Sequence, residues 1–174
     1  RHQHQRLPLA GYRPGTSDSS RLFFLASFWH QHPHANTARI ELWQAMHSLH
    51  DMHLEGGFVS APTQMAAELR AQTSYSLGDY LEAMENSVAA LNTPAVHDCL
   101  GWKLGEYFAL GKAIVSLPLS HPLPGGCESG DQLIVVSSAS AAVEAVAQLA
   151  ADADLRRNLE IRAHTHRQRC SLTE

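Results

Sequence analysis

Cysteine is scarce in this chain. Cys99, Cys127 and Cys170 are the only three among 174 residues, and they lie far apart. An odd number of cysteines without a Cys-x-x-Cys pair argues against a disulfide framework and against a structural zinc site. Long apolar runs are missing too, since no run reaches the roughly 18 residues that a membrane-spanning helix needs. We therefore expect a cytoplasmic protein, associated with a membrane only through a part that this sequence does not contain.

An excess of positive charge is also missing. The chain has 13 Lys and Arg against 17 Asp and Glu, a net charge of -4 with histidine neutral. Nucleic acid is attracted by broad basic surfaces, so nucleic acid is not an expected partner. The 12 histidines form several clusters, but none has the spacing, or the neighbouring Cys or carboxylate, that completes a metal site. We predict no bound metal.

The pattern of apolar residues predicts an alternating order of strands and helices. Predicted strands occupy residues 21–29, 53–60, 87–92, 113–117 and 132–136. Predicted helices occupy residues 37–52, 76–86, 100–110, 139–151 and 155–169, the last with Asp154 as its N-cap. The short strands show no alternation of apolar and polar residues, which favours a Rossmann-like parallel sheet with helices on both faces.

The predicted fold also locates a site and a boundary. Ligands of open α/β sheets bind at the carboxyl ends of the strands, here the loops after Trp29, Asn92 and Leu117. Residues 1–20 are polar and contain Pro8 and Pro14, so they are interpreted as a loop or linker from an upstream part. Residues 21–170 are then a single nucleotide-binding domain.

The segment at residues 92–116 carries the chemistry. A strand ends at Asn92, Thr93 follows it, and a helix with Gly101 at its start comes next. A helix N-terminus presents free N–H groups and partial positive charge, which suit a diphosphate. Lys103 adds a charge in the first turn, and the Glu106 carboxylate can accept hydrogen bonds from ribose hydroxyls.

Each of these residues has a structural alternative. Asp98 can be the N-cap of the helix. Lys103 can lie in solvent or pair with Glu106 at i,i+3. Gly101 and Gly105 can serve helix packing alone. His97 can hydrogen-bond a sugar or a phosphate, or it can turn to solvent.

The same segment resembles the donor-binding signature of retaining GT-B glycosyltransferases of family 4, also called glycosyltransferases group 1. Asp98 and Glu106 have the spacing of the two acidic residues of that signature, and residues 106–115 resemble its Glu-Ala-Met-Ala-x-Gly-x-Pro-Val-Val run. The chain has Asp98 where the family has Glu, and Leu100 with Gly101 where it has Phe-Gly. The resemblance is specific over residues 93–116 and looser up to residue 167.

The resemblance implies roles for these residues. Glu106 holds the ribose, and Asp98 lies close to the donor sugar. The upstream Arg and Lys that grip the diphosphate have no clear counterpart, and Arg39 and then Lys103 are the best substitutes. We therefore predict Asp98 and His97 as catalytic residues, and a donor-binding set made of Arg39, Thr93, Gly101, Lys103 and Glu106.

The resemblance also implies an activity and partners. The chain is expected to be the donor-binding half of a glycosyltransferase, of the hexosyltransferase type, in bacterial polysaccharide biosynthesis. Its substrate is a UDP- or GDP-linked sugar, with no further cofactor, and its acceptor is a glycan or a lipid-linked molecule. An N-terminal acceptor domain would be missing, so turnover by this half alone is expected to be low. The alternatives are a non-catalytic nucleotide-binding module and a UDP-sugar epimerase of the same fold.

Overall fold

The computed structural model describes residues 16–123 and 131–171, with the side chains of Asp98 and residues 167–171 outside the description. Within these ranges the strands are β1 (Arg21–Ser27), β2 (His53–Val59), β3 (Ala90–Asn92), β4 (Ile114–Ser116) and β5 (Ile134–Val135). The helices are α1 (Thr37–Met46), α2 (Leu77–Asn86), α3 (Trp102–Ala109), α4 (Ala139–Ala151) and α5 (Ala153–Ser171). The alternating order predicted from the sequence is confirmed.

All described strand pairs are parallel, as predicted, but they form two sheets. One sheet pairs β1 with β2, and the other has the order β3-β4-β5. The sheets meet between β1 and the start of β3, where the Val88 amide donates to the Arg21 carbonyl at 2.8 Å. The next pairing position is taken by a side chain, because the Phe23 amide donates to Ser87 Oγ at 2.9 Å. The buried Ser87 hydroxyl thus interrupts the backbone ladder between the two sheets.

Helices cover both faces of these sheets, as predicted. Alternate residues of β1 face opposite ways: Leu22 and Phe24 belong to one buried cluster, and Phe23 belongs to another. The first cluster contains apolar residues of α1 and α4, and the second contains apolar residues of α2, α3 and α5. Since burial of apolar area is the main driving force of folding, the two clusters hold the helices against the sheets.

Two glycines lie inside β2 without ending it. Gly56 and Gly57 have φ values of 105° and 117°, which L side chains rarely adopt. A Cβ on Gly56 would collide with the carbonyl of Phe24, and one on Gly57 would lie 2.6 Å from the carbonyl oxygen of Leu69. The strand predicted over residues 53–60 therefore forms with both glycines inside it, and its close backbone approaches require glycine.

Local capping explains several helix boundaries. Ser76 and Asp79 form a capping box at the start of α2, and Gly111, with φ 60°, follows α3. The predicted N-cap Asp154 is wrong, because α5 begins at Ala153 and Asp152 Oδ1 accepts the Leu155 amide at 2.9 Å. Asp154 instead lies in the first turn, where a carboxylate is favourable to the helix dipole.

Several other predicted helices and strands are longer than the observed ones. Helix α1 ends at Met46 and not at residue 52, and α3 begins at Trp102 and not at residue 100. The strands β3, β4 and β5 are shorter than predicted, although the buried flanking residues Leu117 and Val136 continue the backbone hydrogen bonding, with amides that donate to the carbonyls of Asn92 at 3.0 Å and Ser116 at 2.9 Å. No helix in the described ranges is long and apolar enough to cross a bilayer.

Candidate functional site

A cavity of about 110 Å³ lies at the carboxyl ends of β1 and β3, where the sequence predicted a site. Its walls are the end of β1, the first residues after β3 and the N-terminal turn of α3. Among its lining residues are four of the predicted donor-binding residues: Arg39, Thr93, Gly101 and Lys103. We call it the cation cavity. The fold thus brings together residues that are up to 64 positions apart, counted from 39 to 103.

Arg39 is a buried charge on α1, only 5% exposed. Its guanidinium stacks 3.9 Å from the Trp29 ring centroid, and its Nη1 donates to Asn36 Oδ1 at 3.2 Å. No ion pair with a carboxylate is formed by Arg39 within the described ranges. Burial lowers its pKa to about 10, so the side chain keeps its charge at neutral pH. A buried cation without a counter-ion among the described residues is costly.

Asn36 is what holds the Arg39 side chain in place. The Trp29 amide donates to Asn36 Oδ1 at 3.1 Å, and Asn36 Nδ2 donates to the Trp29 carbonyl at 3.0 Å. The buried Asn36 amide therefore closes the loop between β1 and α1 in the manner of a backbone pair. Sequence analysis did not single out Asn36 or Trp29, since their pairing depends on how this loop folds back.

Lys103 faces inward, and its interpretation as a solvated surface residue is wrong. Its ammonium donates to the carbonyl of Leu25 in β1. Burial lowers the pKa of Lys103 to about 8, the Glu106 carboxylate acts in the opposite direction, and Arg39 lowers it further. Arg39 and Lys103 are thus close enough to repel each other across the cation cavity.

Glu106 lies one turn further along α3 and does not line the cation cavity. Its Oε2 accepts a hydrogen bond from the Tyr80 hydroxyl at 3.2 Å. Burial raises the pKa of the Glu106 carboxyl, and the Tyr80 hydrogen bond and the Lys103 charge offset only part of that rise. The alternative of a Lys103–Glu106 ion pair is not among the described contacts, so the two residues interact at longer range.

The purely structural roles considered for Asp98, Gly101 and Gly105, helix capping and helix packing, are not supported. Helix α3 has Gly101 as its N-cap, so Asp98 is not the capping residue. A Cβ on Gly101 would lie 3.9 Å from the nearest heavy atom, and one on Gly105 would have none within 4 Å. Neither glycine is therefore required for close helix packing. The side chain of Asp98 lies outside the described part, so its predicted catalytic role stays a prediction.

His97 lies in a second depression, which adjoins the cation cavity and shares Arg39, Thr93 and Ala95 with it. This groove has a volume of about 470 Å³, and His32, His34 and His97 line it. We call it the histidine groove. The His32 and His97 rings are 5.5 Å apart between centroids. Among described residues, no three His, Cys, Asp or Glu side chains form a metal-ligand set.

Trp102 is a feature of the site that sequence analysis missed. It lines the cation cavity at the start of α3 and is nevertheless 74% exposed. A large aromatic residue is expected to bury most of its surface, so an exposed one at a cavity mouth is a candidate contact for a ligand. The sequence signal was a Trp directly after the N-cap Gly101, in the turn that was already assigned to phosphate.

Comparisons with known proteins support the fold. No family model matches the sequence, and no curated protein matches it. The structure of TarM superposes with a TM-score of 0.64 at 6% identity, over 90% of this chain and 33% of that one. The GtfA/B complex superposes with a TM-score of 0.57 at 14% identity, over 92% of this chain and 34% of that one. The chain spans about a third of these relatives, and its α/β fold is like that of GT-B glycosyltransferases.

Proposed function

We propose that this chain binds the diphosphate of a nucleotide-sugar donor and is the donor-binding half of a glycosyltransferase. The observation that carries the proposal is the pair of inward-facing cations, Arg39 and Lys103, on one cavity at the carboxyl edge of the sheets. They belong to different helices, α1 and α3, and repel each other in the absence of a ligand. A diphosphate between them removes this repulsion and supplies the missing counter-ion.

The wider assignment rests on the signature around Glu106. The resemblance to family 4, with Glu106 as the ribose contact and Asp98 near the donor sugar, is supported by the position of α3 beside the cation cavity. In the proposed reaction the bond between the sugar C1 and the diphosphate oxygen breaks, the acceptor hydroxyl oxygen bonds to C1, and the hydroxyl proton passes to the leaving diphosphate. The diphosphate leaves with the electron pair, and Arg39 and Lys103 stabilise its charge.

The proposal extends to the partners. The donor is a UDP- or GDP-linked hexose, and the acceptor is a glycan or a lipid-linked molecule that an N-terminal domain would hold. In GT-B enzymes the active site lies between two domains, and this chain spans about a third of the solved structures to which it is similar. Cytoplasmic location is part of the same proposal, since nucleotide sugars of polysaccharide synthesis are used there.

Glu106→Gln tests the ribose contact. Calorimetric titration with UDP, GDP and their hexose conjugates is expected to give saturable binding by one base, and Glu106→Gln is expected to weaken it about tenfold. A hydrogen bond to a charged group contributes about 1.5–3 kcal/mol, and about 1.4 kcal/mol corresponds to a factor of ten. Inorganic pyrophosphate, which has no ribose, is expected to bind both proteins alike.

The matched control is Glu144→Gln, an exposed carboxylate on α4. It is expected to bind all these ligands as the unaltered chain does. If neither UDP nor GDP nor pyrophosphate binds, the cation cavity does not hold a diphosphate and the proposal is wrong. If UDP binds with unchanged affinity in Glu106→Gln, the diphosphate site stands and the ribose lies elsewhere. Binding without transfer by the intact gene product favours a non-catalytic module.

Trp102→Ala tests where the nucleoside lies. A cavity of about 110 Å³ is below the roughly 300–1,000 Å³ of typical ligand pockets, so the nucleoside of a bound donor extends beyond it, past Trp102. Stacking of a base on an aromatic ring contributes about 1–3 kcal/mol, so Trp102→Ala is expected to weaken UDP binding about tenfold. Pyrophosphate affinity is expected to stay the same. The control is Leu77→Ala, which alters an exposed apolar residue that does not line the cavity. If both variants bind UDP with equal affinity, the base lies elsewhere.

A further inference from the structure

We propose that the histidine groove is a second phosphate-binding site, which binds its ligand together with protons. The proposal goes beyond donor binding in the cation cavity, because the groove is a separate depression on the other side of Arg39. It depends on the proposed function only in that Arg39, Thr93 and Ala95 are common to both sites.

The groove has two walls that carry imidazoles. One wall is the loop between β1 and α1, which contributes His32 and His34, and the other is the loop after β3, which contributes His97. All three histidines are exposed, and the rings of His32 and His97 are 5.5 Å apart, edge to face. The two rings contact each other, so both can reach one ligand that lies against them in the groove.

Arg39 supplies the permanent charge. It lines the groove as well as the cation cavity, it is buried, and its one described hydrogen-bond partner is the neutral Asn36 side chain. The described lining residues of the groove include no Asp or Glu. A groove with a buried cation, three titratable bases and no carboxylate in its described lining favours an anion, and tetrahedral oxyanions accept hydrogen bonds from both imidazole and guanidinium groups.

The backbone at His97 is held in an unusual conformation. Its φ and ψ are 59° and 31°, in the left-handed region that non-glycine residues seldom occupy. The preceding Ala95 amide bonds to the Cys99 carbonyl at 2.9 Å, which closes the turn around His97. Such strain persists where the surrounding structure fixes it and is concentrated at binding sites. Here it places the imidazole on the groove wall.

Protonation and anion binding are coupled in this arrangement. Histidine gains its charge between about pH 8 and about pH 5 in proteins. Protonated rings at His32 and His97 repel each other and Arg39, whereas a bound dianion attracts all three, so the protein takes up protons when the anion binds and the anion binds more tightly at lower pH.

The other groups near the groove do not supply a compensating negative charge in the described part of the chain. On the first loop, His30 Nε2 contacts the Ser60 carbonyl at 2.7 Å and does not line the groove. On α1 the facing charge is Arg39, and on the loop after β3 it is His97, next to Asp98, whose side chain lies outside the description. The sulfate titration described below is therefore repeated with Asp98→Asn, which removes the charge of this side chain.

Two sources can supply the phosphate. One is the donor itself, whose phosphate can reach from the cation cavity past Arg39. The other is a phosphorylated acceptor, for which the groove volume of about 470 Å³ lies within the range of typical ligand pockets. The shared chemistry is a phosphate group with two negative charges, and competition with UDP separates the two sources.

The test uses sulfate and the full chain. Sulfate stays a dianion between about pH 5.5 and about pH 8, so a change in its affinity reports the protein's protons. Binding is followed by the NMR signals of the histidine rings. We expect sulfate to bind at least about tenfold more tightly at the lower pH, with the ring signals of His32 and His97 shifting together. The double variant His32→Gln with His97→Asn is expected to lose this pH dependence.

The matched control is His53→Gln. His53 is also exposed, and it begins β2, at the edge of the sheet opposite the groove. His53→Gln is expected to bind sulfate as the unaltered chain does. Asp98→Asn is expected to show the same pH dependence of sulfate binding. The proposal is overturned by equal sulfate affinity at both pH values, or by unchanged binding in the double variant. Because the altered histidines are exposed, their replacement is not expected to disturb folding. An unchanged thermal unfolding transition of each variant checks this.

A competition experiment with UDP identifies the source of the phosphate and separates this proposal from donor binding. Displacement of sulfate by saturating UDP supports a groove that holds a phosphate of the donor, and undisturbed sulfate supports a groove for the acceptor phosphate. Lys103→Gln is expected to weaken UDP binding and leave sulfate binding unchanged, because Lys103 does not line the groove. Failure of UDP, GDP and pyrophosphate to bind, with pH-dependent sulfate binding intact, rejects the proposed function and keeps the second site.

Discussion

Arg39→Met is expected to make the ligand-free protein more stable and to weaken its binding of UDP about 100-fold. The guanidinium is buried with no described carboxylate partner, so a Met of similar length removes an uncompensated charge. Replacing buried charges by apolar side chains is often stabilising by about 1–4 kcal/mol. Asn36 keeps its two hydrogen bonds to the Trp29 backbone, so no polar group is orphaned.

The loss of affinity has a separate cause. A guanidinium that donates two hydrogen bonds to a phosphate provides charge-assisted interactions of about 1.5–3 kcal/mol each, and loss of about 2.8 kcal/mol corresponds to 100-fold. Chemical denaturation and calorimetry measure the two effects on the same sample. Arg21→Met is the control, because Arg21 pairs with Glu55 at 2.9 Å on a partly exposed surface, where ion pairs contribute little. An Arg39→Met protein that is less stable and binds UDP normally would make Arg39 a purely structural residue.

Lys112→Met is expected to have the opposite effect on stability, a loss of about 3–5 kcal/mol. Lys112 is only 3% exposed, and its ammonium donates to the carbonyls of Ser87 at 2.6 Å and Glu85 at 3.0 Å and to Ser17 Oγ at 2.9 Å. The buried Glu160 carboxylate lies nearby and accepts the Ser17 hydroxyl at 2.5 Å. Met leaves this carboxylate and the two carbonyls without a cationic partner.

The measurement is again denaturation with urea, read as the free energy of unfolding. Arg162→Met is the control: its pair with Asp131 at 2.9 Å is 54% exposed on both sides, and its loss is expected to change stability by less than about 1 kcal/mol. UDP affinity of folded Lys112→Met is expected to be normal, since Lys112 does not line the cation cavity. A stability loss no larger than that of the control would mean that water replaces the ammonium.

Local signals predicted most of the fold. The Ser76 and Asp79 box and Gly111 act within a few residues, so the ends of α2 and α3 could be located from the sequence. The apolar strands, buried on both sides, indicated a parallel sheet before any pairing was known. The interruption of the ladder by Ser87 could not be predicted, because it depends on a hydroxyl meeting a strand 64 residues away.

The candidate site was predicted in composition but not in geometry. Arg39 and Lys103 were proposed as cations for a diphosphate, and the fold brings both to one cavity. The burial of Lys103 was not foreseen, since a lysine in the first turn of a helix is ordinarily solvated and its contact with Leu25 depends on tertiary packing. For the same reason the bond between Glu106 and Tyr80, which joins α3 to α2, had no local signal.

The Ser87 interruption has a mechanical consequence for the site. The backbone ladder of β1 and β2 is interrupted at Ser87 before that of β3, β4 and β5, and the cation cavity spans this seam, with Arg39 on one side and Lys103 on the other. A ligand held by both residues adds a non-covalent cross-link to the Val88–Arg21 backbone bond and the shared apolar clusters that already join the two sheets. We therefore expect amide protons on both sides of the seam to exchange with solvent more slowly when the ligand is bound.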